Sequence, residues 1–443
     1  MLVPVRDLLA EPTARGLAEA VSRAIGEGHL EPGAKLPPVR TVARELRMSP
    51  TTVSAAWQLL RRAGTIRTDG RRGTVVATAR AGGPGRYRAA LRGRSGFPLD
   101  LSTGVPDPRL LPALPALAGL SPAPSSYLDA PVLPALDALL RAGWPFPPDR
   151  LAVLDGAMDA LDQLASALLR LGDRAIVENP CFPPLLDLLD ALGVQAVGVD
   201  TDESGMLPSA LAAAISSSRP ALVFLQPRAL NPTGASWSPA RAAALASVLA
   251  QHPHVYAVED DSAGDVASSP LHSLGTHLPR QTIHVRSFSK SHGPDLRLAA
   301  VGGPAPVLDP LLERRLLGQG WTSRLLQQIL LTLLTDPSSV AAVTRARQEY
   351  ARRRHLVLAA LAAHGLELPR GDGLNIWLPV ADEQSALITL ASAGIAAAAG
   401  TAFTTSPGTP HLRVTAGLIT TDHATIAAHL AAAARTPALA VPR

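Results

Sequence analysis

From Leu99 onward the chain alternates short apolar runs with Ala/Leu-rich stretches, and no other feature narrows the choice of fold as much. The runs at 151–154, 175–177, 196–199, 221–225, 255–258, 282–285 and 298–301 have the length and bounding residues of strands. Alternation of this kind over more than 200 residues predicts an α/β fold with a mostly parallel sheet. In such sheets ligands bind beyond the carboxyl ends of the strands. At about 150 residues per domain, 443 residues predict two or three domains. Apolar residues make up 47% and charged residues only 17%, enough for a large packed core.

The unusual residues fall at those strand ends. The run at 282–285 leads into Arg286-Ser287-Phe288-Ser289-Lys290, with Arg297 seven residues further on. The whole chain has two lysines, Lys35 and Lys290, and otherwise carries its basic charge on arginine. Arginine serves as a surface charge, whereas lysine alone can lose its proton and attack a carbonyl carbon. Ser287, Ser289 and Arg297 are phosphate ligands by chemistry. A Schiff-base lysine beside a phosphate site suggests pyridoxal phosphate; taken alone, the stretch also describes a solvated lysine in a polar loop. Asp155-Gly156-Ala157-Met158 follows the first run and opens a helix whose free N–H groups suit a phosphate. Phe182 follows the second run and offers either a face for a pyridine ring or a core aromatic. Asn231 follows the fourth. The fifth ends in Glu259-Asp260-Asp261, three carboxylates that need partners, of which a protonated pyridine nitrogen is one.

Charge divides the chain. Residues 1–98 hold 17 basic against 7 acidic side chains, and the remainder 24 against 29, so the first fifth is suited to a polyanion. Residues 12–27 and 39–46 have helical spacing. Ser49-Pro50 is a helix start, an N-cap followed by proline at the first position, for a third helix reaching about Arg62. Residues 66–68 and 74–76 flank a basic hairpin tip with Arg71 and Arg72. This order predicts a winged helix-turn-helix, with Ser49, Thr51 and Thr52 facing the major groove and Arg40, Arg71 and Arg72 meeting phosphates. Residues 79–98, rich in Gly and Arg, read as a flexible basic linker between an N-terminal domain (1–78) and a large domain (99–443). One cysteine, Cys181, gives no disulfide framework, and the charged N-terminus is no signal peptide, so a cytoplasmic protein is expected.

Gly33-Ala34-Lys35-Leu36-Pro37-Pro38-Val39-Arg40-Thr41-Val42-Ala43, the Ser49–Val53 segment and Gly73-Thr74-Val75-Val76 resemble the DNA-binding domain of the GntR family. The body resembles the fold type I aminotransferases of class I. Asn231-Pro232-Thr233-Gly234, an acidic strand end, and Ser287-Phe288-Ser289-Lys290 with Arg297 carry that likeness. The fusion is similar to the MocR subfamily of GntR regulators, as are Asp100–Pro108 and Gly373-Leu374-Asn375-Ile376-Trp377.

The resemblance implies a PLP-dependent transferase fold with a small C-terminal α/β subdomain. It implies pyridoxal phosphate as an aldimine on Lys290, with Asp260 at the pyridine nitrogen, Asn231 at the phenolic oxygen and Phe182 stacked on the ring. The phosphate would be held by Gly156, Ala157, Met158, Ser287, Ser289 and Arg297, helped by Tyr127 from a second subunit of a homodimer. Arg413 would clamp a substrate carboxylate. Three positions depart from the enzymes: Ser262 stands where a tyrosine is usual, Val132 replaces a glycine, and Leu136-Asp137 replaces Leu-Arg. The implied function is a DNA-binding regulator that senses an amine or amino-acid-like effector through the cofactor. The alternatives are an aminotransferase carrying a DNA-binding domain, and a regulator whose body has lost the cofactor.

Overall fold

The computed structural model describes residues 2–9, 11–26, 29–31, 33–62, 65–69, 73–76, 85–86, 96–116, 126 and 129–438. The first unit contains α1 (Leu2–Asp7), α2 (Ala14–Gly26), α3 (Val39–Glu45), α4 (Pro50–Arg62) and the antiparallel pair β1 (Ile66–Asp69) and β2 (Gly73–Val76). Leu17, Ala20 and Val21 of α2 and Val53, Ala56, Trp57 and Leu60 of α4 are buried. Each helix thus turns one apolar stripe inward at helical spacing. Ser49 caps α4, its hydroxyl accepting the Thr52 N–H at 3.0 Å. The winged helix-turn-helix is present, with α1 added in front; Val5 and Leu8 extend the same core, a short pattern with too few turns to be legible. Arg71, Arg72, Tyr127 and most of the 79–98 linker lie outside the described residues.

The second unit opens with β3 (Leu99–Asp100). Its main sheet has β4 (Arg150–Leu154), β5 (Arg174–Asn179), β6 (Gln195–Asp202), β7 (Gly205–Met206), β8 (Leu222–Leu225), β9 (Tyr256–Asp261), β10 (Thr282–Ser287) and β11 (Ala299–Gly303). In space the order is β4-β11-β10-β9-β8-β5-β6-β7. Strands β10, β9, β8, β5 and β6 are parallel neighbours, while β11 runs antiparallel to both β10 and β4. Helices pack on the sheet, among them α5 (Ala157–Leu168) and α6 (Pro183–Ala191), while the 27-residue α7 (Pro337–Ala363) packs on the helix at 423–435. The C-terminal part adds β12 (Ile376–Pro379), α8 (Glu383–Ser392), β13 (Ile395–Ala396), β14 (Ala398–Ala399), β15 (His411–Val414) and α9 (His423–Arg435). Three of these strands form the sheet β12-β15-β14, and β13 pairs in parallel with β3. The small subdomain therefore joins both ends of the second unit.

Helices α2 and α4 of the winged helix pack on α8 of that subdomain. Thr65 Oγ1 donates to Gln384 Oε1 at 2.8 Å, and Arg15 Nη2 to Thr389 Oγ1 at 3.3 Å. One apolar cluster runs from Leu17 and Trp57 to Leu387 and Ile388. Among the described residues no helix is long and apolar enough to cross a membrane.

Strand β9 differs from its expected end at 258 by running on through all three carboxylates. Strand alternation turns Glu259 and Asp261 to one face and Asp260 to the other. Glu259 accepts from Ser273 Oγ at 2.7 Å and the Leu274 N–H at 2.6 Å, and pairs with His284 Nδ1 at 2.8 Å. Asp261 receives Arg228 in a two-pronged grip, Nε at 2.8 Å and Nη2 at 2.7 Å. Burial works to raise the Asp261 carboxyl, but Arg228 outweighs it and holds the group below the usual range. Removing one partner of a buried pair leaves the other charge unsatisfied, at a cost of about 3–5 kcal/mol. Arg228→Met is expected to lose stability on that scale in urea unfolding, while breaking the exposed Arg150–Asp309 pair costs at most about 1 kcal/mol. Equal losses for the two variants would contradict this assignment.

Candidate functional site

Asp260 is the carboxylate of β9 that protein groups leave incomplete. Gln226 Nε2 donates to its Oδ2 at 2.8 Å, while Oδ1 is buried with no hydrogen-bond partner among the described residues. Burial pushes the carboxyl up to about 6, opposed by the Gln226 hydrogen bond and by the charge of Lys290. Lys290 follows the end of β10, whose Val285 lies in register with Asp260. The lysine is half-buried. Burial lowers its ammonium to about 8, with Asp260 resisting and Arg413 assisting. A lysine near 8 holds a usable fraction of free amine at neutral pH, which a nucleophile needs.

Three strands bring a second set of groups to the same end of the sheet. Ser287 and Leu154 both pair with Ala299 across β10, β11 and β4. The turn after β4 is Gly156, at φ +104°, and a Cβ there would lie 3.0 Å from Arg297 Nη2. Glycine is required twice over, for the backbone conformation and for the room the guanidinium takes. Gly156 leads directly into α5, whose first N–H groups have no side-chain cap. Ser289 N–H donates to Ser287 Oγ at 3.3 Å. Gly156, Ala157, Met158, Ser287, Ser289 and Arg297 thus collect hydroxyl, guanidinium and helix-terminal donors around one position, the donor set a phosphate requires.

The remaining residues come from neighbouring elements. Phe182 caps α6 and lines a small cavity with Glu178, Gln226 and Asp260. Asn231 gives its backbone N–H to Gln226 Oε1 at 2.7 Å, and its Oδ1 receives Asn375 Nδ2 at 3.3 Å. Ser262 Oγ is 3.5 Å from Gln226 Nε2. Arg413 is fully buried on β15, bonded to the Ser102 carbonyl oxygen, with its guanidinium 5.0 Å from the Phe403 ring centre. Gly104 leaves space for it; a Cβ there would come within 2.8 Å of Nη1. The structure brings together every sequence-predicted body residue except Tyr127, which is not among those described. A ring with a protonated nitrogen fits the orphaned Asp260 Oδ1, and a phosphate fits the cradle at Gly156, so pyridoxal phosphate suits the residues present.

Three residues of this site had no role assigned from the sequence: Gln226, Glu178 and Asn375, the last named only within the Gly373–Trp377 segment. Gln226 joins the loop of Asn231 to Asp260, and its own N–H donates to Glu178 Oε2 at 2.8 Å. The available signal was register. Leu225 pairs with Glu259, which sets Gln226 beside Asp260.

In the winged helix, Arg40 and Thr51 are exposed and Thr52 is half-exposed. Ser49 Oγ lies 2.8 Å from Thr51 Oγ1 and 2.7 Å from Thr52 Oγ1, so the three hydroxyls share the tip of α4. Ser49 also caps the helix, and all three hydroxyls are engaged with one another.

Fold and site define a winged-helix DNA-binding unit joined to an aminotransferase-type body. Residues 13–76 match the family described as bacterial regulatory proteins, gntR family, and residues 95–430 match aminotransferase class I and II. The chain belongs to the MocR-type GntR regulators, whose body is a class I and II aminotransferase domain, and is a helix-turn-helix transcriptional regulator. It is 38% identical over 410 residues to the vitamin B6 salvage pathway transcriptional repressor PtsJ of Salmonella typhimurium, covering 91% of this chain and 94% of that protein. It is 28% identical to the pyridoxine biosynthesis transcriptional regulator PdxR of Corynebacterium glutamicum, covering 87% and 88%. Among solved structures, α-aminoadipate aminotransferase LysN of Thermus thermophilus superposes with a TM-score of 0.68 at 21% identity, over 79% of this chain and 94% of that one. An aspartate aminotransferase single mutant from Thermus thermophilus gives 0.68 at 25% identity, over 81% and 99%.

Glu178 supplies a test of this interior. Burial pushes its carboxyl from 4.5 up to about 8, against the pull of the Gln226 and Met206 N–H groups. Between those values the unfolded chain has released this proton and the folded chain has not, so this residue makes stability fall as pH rises from about 4.5 to about 8. Glu178→Gln keeps a carbonyl acceptor and is expected to flatten that decline in unfolding free energies taken across the window. An unchanged slope would mean that Glu178 is ionised in the fold.

Proposed function

We propose that this regulator responds to pyridoxal phosphate held at Lys290. The observation that carries the reading is the buried, half-satisfied carboxylate of Asp260 beside a half-buried, acidified lysine. When bound, the cofactor supplies an electrophilic carbonyl and a ring nitrogen that can carry a proton. Lys290 would hold the carbonyl carbon covalently, and Asp260 would keep the ring nitrogen protonated. Asn231 would donate to the phenolic oxygen, Phe182 would cover one ring face, and the cradle from Gly156 to Arg297 would take the phosphate. Tyr127 would complete that cradle from a second subunit, making the homodimer the working form. Two fused winged helices would then read a repeated operator site. Arg40 would meet a phosphate, Ser49, Thr51 and Thr52 the major groove, and Arg71 and Arg72 backbone phosphates beside the wing.

Two of the relatives carry names tied to vitamin B6 salvage and pyridoxine biosynthesis. That supports the cofactor itself as the signal. A second reading, an amine or amino-acid effector that displaces Lys290, is favoured by Arg413, a buried guanidinium beside the cleft and suited to a carboxylate. Turnover as an aminotransferase is disfavoured by Ser262: losing one buried phenol hydrogen bond costs roughly 1–3 kcal/mol, or ten- to a hundred-fold in a rate-setting step.

The experiment adds pyridoxal phosphate, alone and with candidate amino acids, to cofactor-free protein and follows operator affinity and 2-oxo acid release together. Affinity is expected to change roughly 5- to 150-fold with the cofactor in the wild type and not at all in Lys290→Ala, with little oxo acid formed. A response seen only when an amino acid is also present would favour the second reading. Multiple turnover with unchanged operator affinity would overturn both in favour of an enzyme. For the winged helix, Arg40→Ala is expected to weaken binding to every sequence alike and reduce the salt slope by about 1. Thr52→Ala should instead relax preference at one base pair by about 1–3 kcal/mol. An unaltered salt slope in Arg40→Ala would remove it from the phosphate contacts.

A further inference from the structure

We propose that Asn375 is a positioning residue that fixes Asn231 as a hydrogen-bond donor to the cofactor's phenolic oxygen; the inference rests on the pyridoxal phosphate reading. Asn375 stands immediately before β12 and is 5% exposed. Its one side-chain hydrogen bond among the described residues is from Nδ2 to Asn231 Oδ1, at 3.3 Å, and its own Oδ1 is buried without a partner. A buried amide ordinarily satisfies both of its ends. This one makes a single contact, and that contact is with the residue that faces the ring.

The chemistry of a primary amide gives the contact its meaning. One end accepts and the other donates. Asn375 occupies the accepting end of Asn231, so the end left for a ligand is the NH2 group. A phenolic oxygen in its anionic form is an acceptor and needs that donor. Turning both amides round would set Asn231 Oδ1 against it, oxygen to oxygen. The backbone N–H of Asn231 is meanwhile anchored on Gln226 Oε1 at 2.7 Å, so the residue is held at two points and presents one face. Ser262 does not supply the missing phenol; its hydroxyl is directed toward Gln226 Nε2, 3.5 Å away. A fixed Asn231 donor is how this chain stabilises the phenolic oxygen without a tyrosine.

The contact also crosses between subdomains. Asn375 belongs to the strand segment that continues into β12, where Trp377 pairs with Arg413 of β15. Leu374, just before it, accepts the Gly417 N–H at 2.9 Å. The hydrogen bond to Asn231 therefore ties the small subdomain's sheet to the loop that faces the ring.

The test uses the full chain loaded with pyridoxal phosphate, and reads the pH midpoint of the visible absorbance change of the bound cofactor. A hydrogen bond to the anionic oxygen lowers that midpoint, so its loss raises it. Asn375→Ala is expected to raise the midpoint by about one unit, the size of one hydrogen bond to a charged group. Asn231→Ala is expected to raise it at least as far, and adding Asn375→Ala to Asn231→Ala to move it no further. Asn375→Asp has the same shape but offers only acceptors; it is expected to shift the midpoint in the same direction and serves if the alanine variant folds poorly. A wild-type midpoint in either Asn375 variant, or shifts that simply add in the double variant, would overturn the inference while leaving the cofactor reading intact. A wild type that takes up no pyridoxal phosphate would overturn both.

Discussion

A carboxylate inside a parallel sheet must be satisfied on each oxygen, and β9 carries three in succession. Two find protein partners on one face of the sheet: Glu259 in Ser273, Leu274 and His284, and Asp261 in Arg228. Asp260 points the other way and receives Gln226 on one oxygen only. Leaving such an oxygen bare in a protein interior is costly. The surrounding residues are arranged as if a further donor belongs there. Lys290, Phe182, Asn231 and the Gly156 cradle gather on that side of the strand, and the other face is sealed by ion pairs and hydrogen bonds.

The same cleft is connected to the DNA-binding unit through the small subdomain. Arg413 lies on β15 of the sheet β12-β15-β14, and α8 of the same subdomain supports α2 and α4 of the winged helix. The contact combines a shared apolar cluster with the Thr65–Gln384 and Arg15–Thr389 hydrogen bonds. On the proposed reading, a ligand that alters how the small subdomain meets the cleft also alters the platform on which the winged helix rests. A switch of this kind needs only a difference in binding between two arrangements, about 5.5 kcal/mol to move from 1:99 to 99:1.

Much of this was legible because it is local. The seven apolar runs became strands, Ser49-Pro50 became the cap and first turn of α4, and Lys290 stands where a strand ends. Each is written in a few adjacent residues. What escaped is set by register between distant segments. Gln226 meets Asp260 from 34 positions away, and Asn375 meets Asn231 from 144. Neither has a spacing that periodicity can detect. The extension of β9 through its acidic residues was hidden for the same reason, since Arg228, Ser273 and His284 make the carboxylates tolerable only once the chain is folded. The docking of α2 and α4 on α8 likewise depends on two apolar faces more than 300 residues apart.

The orphaned Asp260 oxygen is seen in the structure, whereas the proposed covalent link at Lys290 can be read directly by chemistry. Purified chain saturated with pyridoxal phosphate, reduced with borohydride and digested, should yield a single peptide carrying the reduced cofactor, and fragmentation should place it on Lys290. Modification at Lys35, or a chain that stays unlabelled and colourless at saturating cofactor, would contradict the account.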